Sequence, residues 1–144
     1  GLGDFKQAIL RENCNNLDGV IIKQNSNNLF LIKIPLRDWH GKKSEDGANW
    51  FYLFHEYPNP RGLFAITLDS DRFAPWFLTN DILVINTSTE IKPESWVLLK
   101  QGRSHFIGRA GSNNLIYDAN TLKPYPRSSA IILGPIIKLH RNWD

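Results

Sequence analysis

From Gly19 onward, the chain alternates short apolar runs with polar segments that are rich in Asn, Gly and Pro. Apolar runs of this length, bounded by turn residues, predict β-strands, and strands at this close spacing predict an all-β barrel or sandwich. The predicted strands are 20–23, 29–34, 50–54, 63–68, 81–86, 95–100, 104–109, 114–117 and 130–140. The first two would form a hairpin around the polar turn 25–28, with Pro35 ending the second strand.

The pattern before Gly19 predicts one short helix at residues 5–17. Phe5, Ile9 and Leu10 lie roughly on one helical face, and Asp4 can cap the first turn. The polar stretch 39–50 predicts a loop instead. We therefore expect a mainly β chain with a single N-terminal helix.

Composition narrows the class of protein. The chain has 144 residues, 42% of them hydrophobic and 22% charged, as in a single globular domain with one core. The net charge of +3 is mild and its cations are scattered, so charge alone does not indicate a nucleic-acid surface. Cys14 is the only cysteine, which excludes an intrachain disulfide and favours a reducing cytoplasm. No run approaches the roughly 20 apolar residues of a membrane span, and no secretory signal opens the chain.

One segment carries a specific motif. An apolar strand at residues 66–68 runs into Asp-Ser-Asp-Arg-Phe-Ala-Pro at 69–75, and a second apolar strand follows Asn80-Asp81. This arrangement resembles LexA and phage-repressor C-terminal domains, in which a strand runs into Gly-Asp-Ser-Met-x-Pro and the next strand follows a Gly-Asp turn. When the two are aligned without a gap, Asp71, Phe73 and Pro75 match the Asp, Met and Pro of the motif, and Asn80 and Asp81 match the turn Gly-Asp. Ser70 then takes the position of the motif Gly, and Arg72 takes the position of the catalytic Ser.

Four further segments, 34–39, 94–99, 115–124 and 131–137, resemble other parts of that family in the family's order. The resemblance extends from about Ile34 to the end of the chain. It implies a LexA/signal-peptidase-like fold, a curled and partly closed β-sheet barrel, for residues 34–144. Residues 1–33 would then form a helix and hairpin that are part of this domain or lead into it.

The resemblance also implies which residues would run the chemistry. The family uses a Ser nucleophile and a buried neutral Lys as general base, the Lys coming from a strand that ends in Lys-Arg. Here Arg109 takes the Arg position, so Gly108 takes the Lys position, and a one-residue shift would place Ile107 there. Neither can accept a proton, and the guanidinium of Arg72 offers no lone pair for attack. The family's Ala-Gly or Cys-Gly cleavage bond is also missing upstream of Arg72. We therefore expect an inactive peptidase site in which Arg72 faces Gly108.

Two alternatives for this site remain open. In a register with an insertion, Ser70 would be the nucleophile of a self-cleaving peptidase with Lys100 as its base, although a serine between two Asp residues is more typical of a turn. Alternatively, the emptied cleft around Arg72 and Gly108 would bind a peptide or small ligand. Arg72 is otherwise expected to pair with Asp69 or Asp71 at the surface.

The resemblance implies a dimerisation or assembly domain of a prokaryotic or phage transcriptional regulator. The expected partner is a second copy of the chain, as a homodimer or larger oligomer, with no cofactor, no metal and no membrane. DNA would be bound only by a separate helix-turn-helix domain preceding Gly1, an expectation that fits the absence of an initiating Met. Interface candidates are the apolar residues of the C-terminal strand and its flank, Ile136, Ile137, Leu139 and Trp143.

Overall fold

A computed structural model describes residues 29–43 and 49–142. The predicted helix 5–17, the predicted strand 20–23, Cys14 and Trp143 lie outside these residues. The described strands are β1 (Phe30–Arg37), β2 (Trp50–His55), β3 (Leu63–Thr67), β4 (Ile82–Asn86), β5 (Trp96–Gln101), β6 (Ser104–Ala110), β7 (Leu115–Asp118), β8 (Pro124–Pro126) and β9 (Ile131–His140), with a 3-10 turn at Arg127–Ser129. The protein is therefore mainly β, as the apolar pattern predicts, and the described part contains no helix long and apolar enough to cross a bilayer.

The chain divides into two compact units: Gly1–Pro35 with Trp50–Arg61, and Leu36–Asn49 with Gly62–Asp144. In the first unit, β1 pairs antiparallel with β2 in a register that runs from Phe30 opposite His55 to Pro35 opposite Trp50. Residues 50–61 thus belong to the same compact unit as the first residues of β1.

Pro35 does not end its strand, contrary to the sequence-based expectation. β1 continues through Pro35 to Arg37, and its last two residues, Leu36 and Arg37, pair parallel with Ala65 and Ile66 of β3. Pro35 thus lies where β1 changes partner. A proline is tolerated there because its missing amide donor falls where one ladder ends and the next begins.

The second unit contains an open sheet with the order β3-β4-β9-β5-β6-β7-β8, in which all neighbours are antiparallel. Within the described residues β8 pairs only with β7, so the expected closure into a barrel is not seen. The C-terminal strand β9 lies between β4 and β5 and joins the two halves of this sheet. Its register shifts between Val84 and Ile85 and again between Leu98 and Leu99, which bends the sheet locally.

Two apolar clusters form the core of this unit, and they use opposite faces of β6. The larger cluster includes Trp39, Phe73, Phe77, Leu98 and Ile107, all nearly fully buried. The smaller cluster consists of Val97, Leu99, Ala110 and Ile116. Because successive side chains of a strand point to opposite faces, neighbouring residues of β5 and β6 belong to different clusters.

Candidate functional site

The motif loop between β3 and β4 is closed at its base by backbone hydrogen bonds. The amide of Leu68 donates to the Asp81 carbonyl at 2.9 Å, and the amide of Asn80 donates to the Leu68 carbonyl at 2.8 Å. Asn80 has φ 72°, the left-handed conformation that glycine favours. The position aligned with the motif's turn Gly therefore has the backbone geometry that this alignment implies.

Arg72, at the family's nucleophile position, is tied to its own loop. Its Nε donates to Ser70 Oγ at 2.8 Å, and its Nη2 donates to Asp69 Oδ1 at 2.8 Å. The guanidinium carbon lies 6.0 Å from the ring centroid of Trp39 and 5.8 Å from that of Phe73. The Arg72 and Asp69 side chains are 42% and 40% exposed, so this ion pair contributes about 0.2–1 kcal/mol.

Ser70, the alternative nucleophile, is engaged by Arg72 rather than by a base. Its hydroxyl oxygen accepts the Arg72 Nε–H and, at 3.5 Å, the Arg72 backbone amide. Among the described residues Lys100 does not contact Ser70, and it lines a cleft with His40, Lys42 and Arg103 instead. Within residues 29–43 and 49–142, the hydrogen-bond partner of Ser70 Oγ is Arg72, whose guanidinium cannot accept a proton.

Gly108 packs closely against the smaller apolar cluster. A Cβ atom built on Gly108 would lie 2.5 Å from Ile116 Cγ2 and 3.0 Å from Leu99 Cδ1. Both are members of the smaller cluster, whereas Phe73, next to Arg72, belongs to the larger one. A side chain at position 108 would therefore point into the smaller cluster.

Ile107 is the residue of β6 that faces the motif loop. It is fully buried and packs in the same cluster as Phe73 and Trp39. This matches the register shifted by one residue. An aliphatic side chain cannot act as a base, so the position that would carry the catalytic Lys holds part of the hydrophobic core.

The remaining motif residues support the loop. Asp71 Oδ1 accepts hydrogen bonds from the amide and the hydroxyl of Thr79, both at 2.8 Å, and these bonds hold the pKa of Asp71 below its usual value. Phe73 is buried in the larger cluster, while Pro75 is exposed. The polar residues thus fix the loop's shape, and Phe73 anchors it to the core.

Asp81, which is 1% exposed, is the most deeply buried carboxylate described. Its two oxygens accept bonds from Arg141 at 2.7 and 2.6 Å, and Oδ2 also accepts the Leu78 amide at 2.8 Å. Burial acts to raise the pKa of Asp81, but these hydrogen bonds and the charge of Arg141 outweigh it and hold the pKa below its usual value. No local sequence signal marks Arg141 as a site residue, because its partner is 60 residues away along the chain.

Arg109, aligned with the family Arg, lies against an aromatic group. Its guanidinium carbon is 5.2 Å from the ring centroid of Trp96, and its Nε is 3.4 Å from Glu94 Oε2. Trp96 also meets Phe77 edge-on at 5.3 Å and Trp76 at 5.7 Å between ring centroids. This arginine therefore stacks at the surface, where it is held by Trp96 and Glu94.

The interface candidates differ in exposure. Ile136 is half-buried and packs on the larger cluster. Ile137 and Leu139 are 40% and 39% exposed on β9, and Trp143 lies outside the described residues. Only Ile137 and Leu139 are thus seen to present apolar surface.

The comparisons with known proteins assign no family. No protein-family model matches the chain, and no curated protein matches it.

Proposed function

We propose that this chain is a dimerisation or higher-order assembly module of a repressor-like transcriptional regulator, without peptidase activity. The observation that carries the proposal is the exposure of Ile137 and Leu139 on β9. β9 pairs with β4 through residues 136–140 and with β5 through residues 131–135, so in the segment that carries Ile137 and Leu139 only β4 is a described partner strand.

A second copy of this chain is the proposed occupant. In the repressor C-terminal domains that the sequence resembles, the C-terminal strand lies near the dimer contact, which supports this choice. A twofold interface is self-complementary, so Ile137 and Leu139 would meet the same patch on the partner. The apolar pair would then lie at the centre of a contact that buries about 800 Å² on each copy.

The state of the motif loop supports the absence of peptidase activity. Arg72, which the ungapped alignment puts at the nucleophile position, is bonded to Asp69 and Ser70, and Ile107, which the register shifted by one residue puts at the base position, is buried in the larger cluster. The loop contributes a buried Phe73 and the buried Asp81 to the fold. In this proposal the loop retains a structural role after loss of the dyad.

The biological role follows from assembly. A cytoplasmic regulator that binds DNA through a separate helix-turn-helix gains affinity when two such modules occupy two half-sites. This chain would hold the two modules together, and DNA would contact the other domain.

Light scattering tests the proposal. We expect the chain to be dimeric or larger, and a variant with Ile137→Glu and Leu139→Glu to be monomeric and folded, because charges at the centre of an apolar contact lose their hydration. Ile131→Glu is the matched control, since Ile131 lies at the other end of β9 and is 62% exposed. A monomeric parent chain at high concentration, or equal dissociation by Ile131→Glu, would contradict the proposal.

A further inference from the structure

The second unit also contains a cleft of about 280 Å³, which is lined by His40, Lys42, Lys100 and Arg103. It lies between two segments that are far apart in sequence. One is the turn that follows β1, and the other is the hairpin between β5 and β6. All four side chains carry or can acquire positive charge, and no described acidic residue lines the cleft.

The first wall is a closed turn. The amide of Asp38 donates to the Lys42 carbonyl and the amide of Gly41 donates to the Asp38 carbonyl, both at 2.9 Å. Asp38 Oδ1 accepts the amides of His40 and Lys42, each at 2.9 Å. The Asp38 carboxylate is therefore occupied in holding the turn, which positions the side chains of His40 and Lys42.

The second wall is the hairpin, and it packs against the first. Lys100 pairs with His105 across the hairpin, and Gly102, with φ 62°, turns the chain into Arg103. A Cβ atom at Gly41 would lie 3.4 Å from His105 Cε1, so the turn rests directly on His105. Both walls are thus set by packing and backbone bonds.

Three of the four cationic side chains of the cleft have no acidic partner among the described residues. Across residues 29–43 and 49–142, Lys42, Lys100 and Arg103 form no ion pair within 4.0 Å. The fourth, His40, has its Nε2 at 3.8 Å from Oδ2 of Asp69, a carboxylate that is also bonded to Arg72. Like charges held together without a counterion repel each other, and a bound anion would relieve that repulsion.

The buried side chain of His105, next to the cleft, is affected by the positive charges of the cleft. The ring of His105 packs edge-on against Trp39 at 6.0 Å, and its Nδ1 is buried without a hydrogen-bond partner. Burial lowers the pKa of His105 and the charges of Lys100 and His40 lower it further, whereas a hydrogen bond with the Trp39 backbone and the charge of Asp38, which raise the pKa, offset only part of this effect. The surroundings of His105 therefore disfavour an additional positive charge.

We propose that this cleft binds a phosphate group, carried either by a small phosphorylated molecule or by the backbone of a single-stranded nucleic acid. Lys and Arg are the side chains that bind phosphate oxygens through charge-assisted hydrogen bonds. The cleft is near the lower limit of ligand pockets, which span about 300–1,000 Å³, so it accommodates one or two phosphates. This binding is independent of the proposed dimerisation.

Isothermal titration of the full chain with sodium pyrophosphate, and separately with a short oligodeoxythymidylate, tests the proposal. We expect Lys100→Gln with Arg103→Gln to weaken binding by at least about tenfold, because two charge-assisted bonds are lost. The matched control is Lys92→Gln with Lys123→Gln, which removes two exposed cations outside the cleft and is expected to leave affinity within about twofold. Equal weakening by both pairs, or no binding of either probe, overturns the proposal.

Nuclear magnetic resonance of the unmodified chain gives a readout that does not depend on the variants folding. Pyrophosphate should shift the amide signals of Gly41 and His105 before those of β7 and β8, and shifts confined to other regions overturn the proposal. Competition identifies the source of the phosphate. Tighter binding of the oligonucleotide, with affinity that falls steeply with salt, indicates a nucleic-acid backbone, and tighter binding of pyrophosphate indicates a small phosphorylated ligand.

Discussion

Arg141 holds the buried carboxylate of Asp81 through two parallel hydrogen bonds, Nε to Oδ1 at 2.7 Å and Nη2 to Oδ2 at 2.6 Å. Asp81 closes the motif loop just before β4, and Arg141 directly follows β9. Because β4 and β9 pair antiparallel, with Ile82 opposite His140, the two residues come side by side at one end of that ladder. The pair therefore fastens the motif loop to the end of the C-terminal strand.

The two halves of this pair should respond differently to mutation. Arg141→Met leaves the carboxylate of Asp81 buried and unpaired, and we expect a loss of about 3–5 kcal/mol in the free energy of unfolding. Asp81→Asn should cost less, because Arg141 is 22% exposed and its charge can be hydrated. Urea unfolding of each variant measures both values. Equal losses of unfolding free energy in the two single variants would show that hydration of Arg141 does not compensate for the loss of its partner Asp81.

Stability should decrease in mild acid through His105. The pKa of His105 is lowered in the folded chain, so the unfolded chain binds the proton more tightly than the folded chain does. Protonation therefore favours the unfolded chain: His105 leaves the free energy of unfolding undiminished above about pH 6.5 and reduces it as the pH falls below that value. His105→Gln should reduce the difference in unfolding free energy between about pH 7.5 and about pH 5.5. His140→Gln is the control, since His140 is an exposed residue at the end of β9 and is not among the groups that shift the pKa of His105. An unchanged pH dependence in His105→Gln would contradict the assignment.

Gly108 should tolerate no side chain. Gly108→Ala places a methyl group 2.5 Å from Ile116 Cγ2, so we expect a loss of about 1–3 kcal/mol from overpacking. Ser104→Ala, at an exposed position of the same strand, should change stability by less than about 0.5 kcal/mol. Thermal unfolding compares the two variants. A neutral Gly108→Ala would mean that β6 presents this position to open space.

The chain should not cleave itself, even where a lysine would be neutral. Incubation near pH 10, close to the ordinary pKa of Lys, should leave it intact by mass spectrometry. Arg72→Ser should remain intact as well, because Ile107 occupies the position of the base. Cleavage of the parent chain that Ser70→Ala abolishes would establish the peptidase alternative and reject the assembly proposal.

Much of the secondary structure follows from the sequence alone. Each strand predicted from residue 50 onward agrees with the structure within one residue at each end, because apolar runs with turn residues at their ends specify strands locally. The exception is β8, whose three residues Pro-Tyr-Pro carry no strand signal. The motif loop behaves similarly, since Asn80 takes the positive φ of the glycine that it replaces.

The sequence did not determine which side chains come together at the motif loop and at the cationic cleft. The strand motif places either Ile107 or Gly108 opposite the loop, and a shift of one residue turns each side chain to the other face. Only packing against Phe73 on one side and Ile116 on the other decides that Ile107 faces the loop. The cationic cleft could not be predicted from the sequence either, because only the fold brings His40 and Lys42 close to Lys100 and Arg103.

The sequence by itself determined the strands, the turn at Asn80 and the absence of a Ser-Lys pair in the ungapped register, since these depend on neighbouring residues. The tertiary structure decided which face of β6 meets the motif loop, that Arg141 binds Asp81, and that four dispersed cationic side chains share a cleft. Such contacts depend on strand order and register. Strand order and register are in turn decided when the apolar faces of all the strands are buried together, and no single segment of the sequence encodes that arrangement.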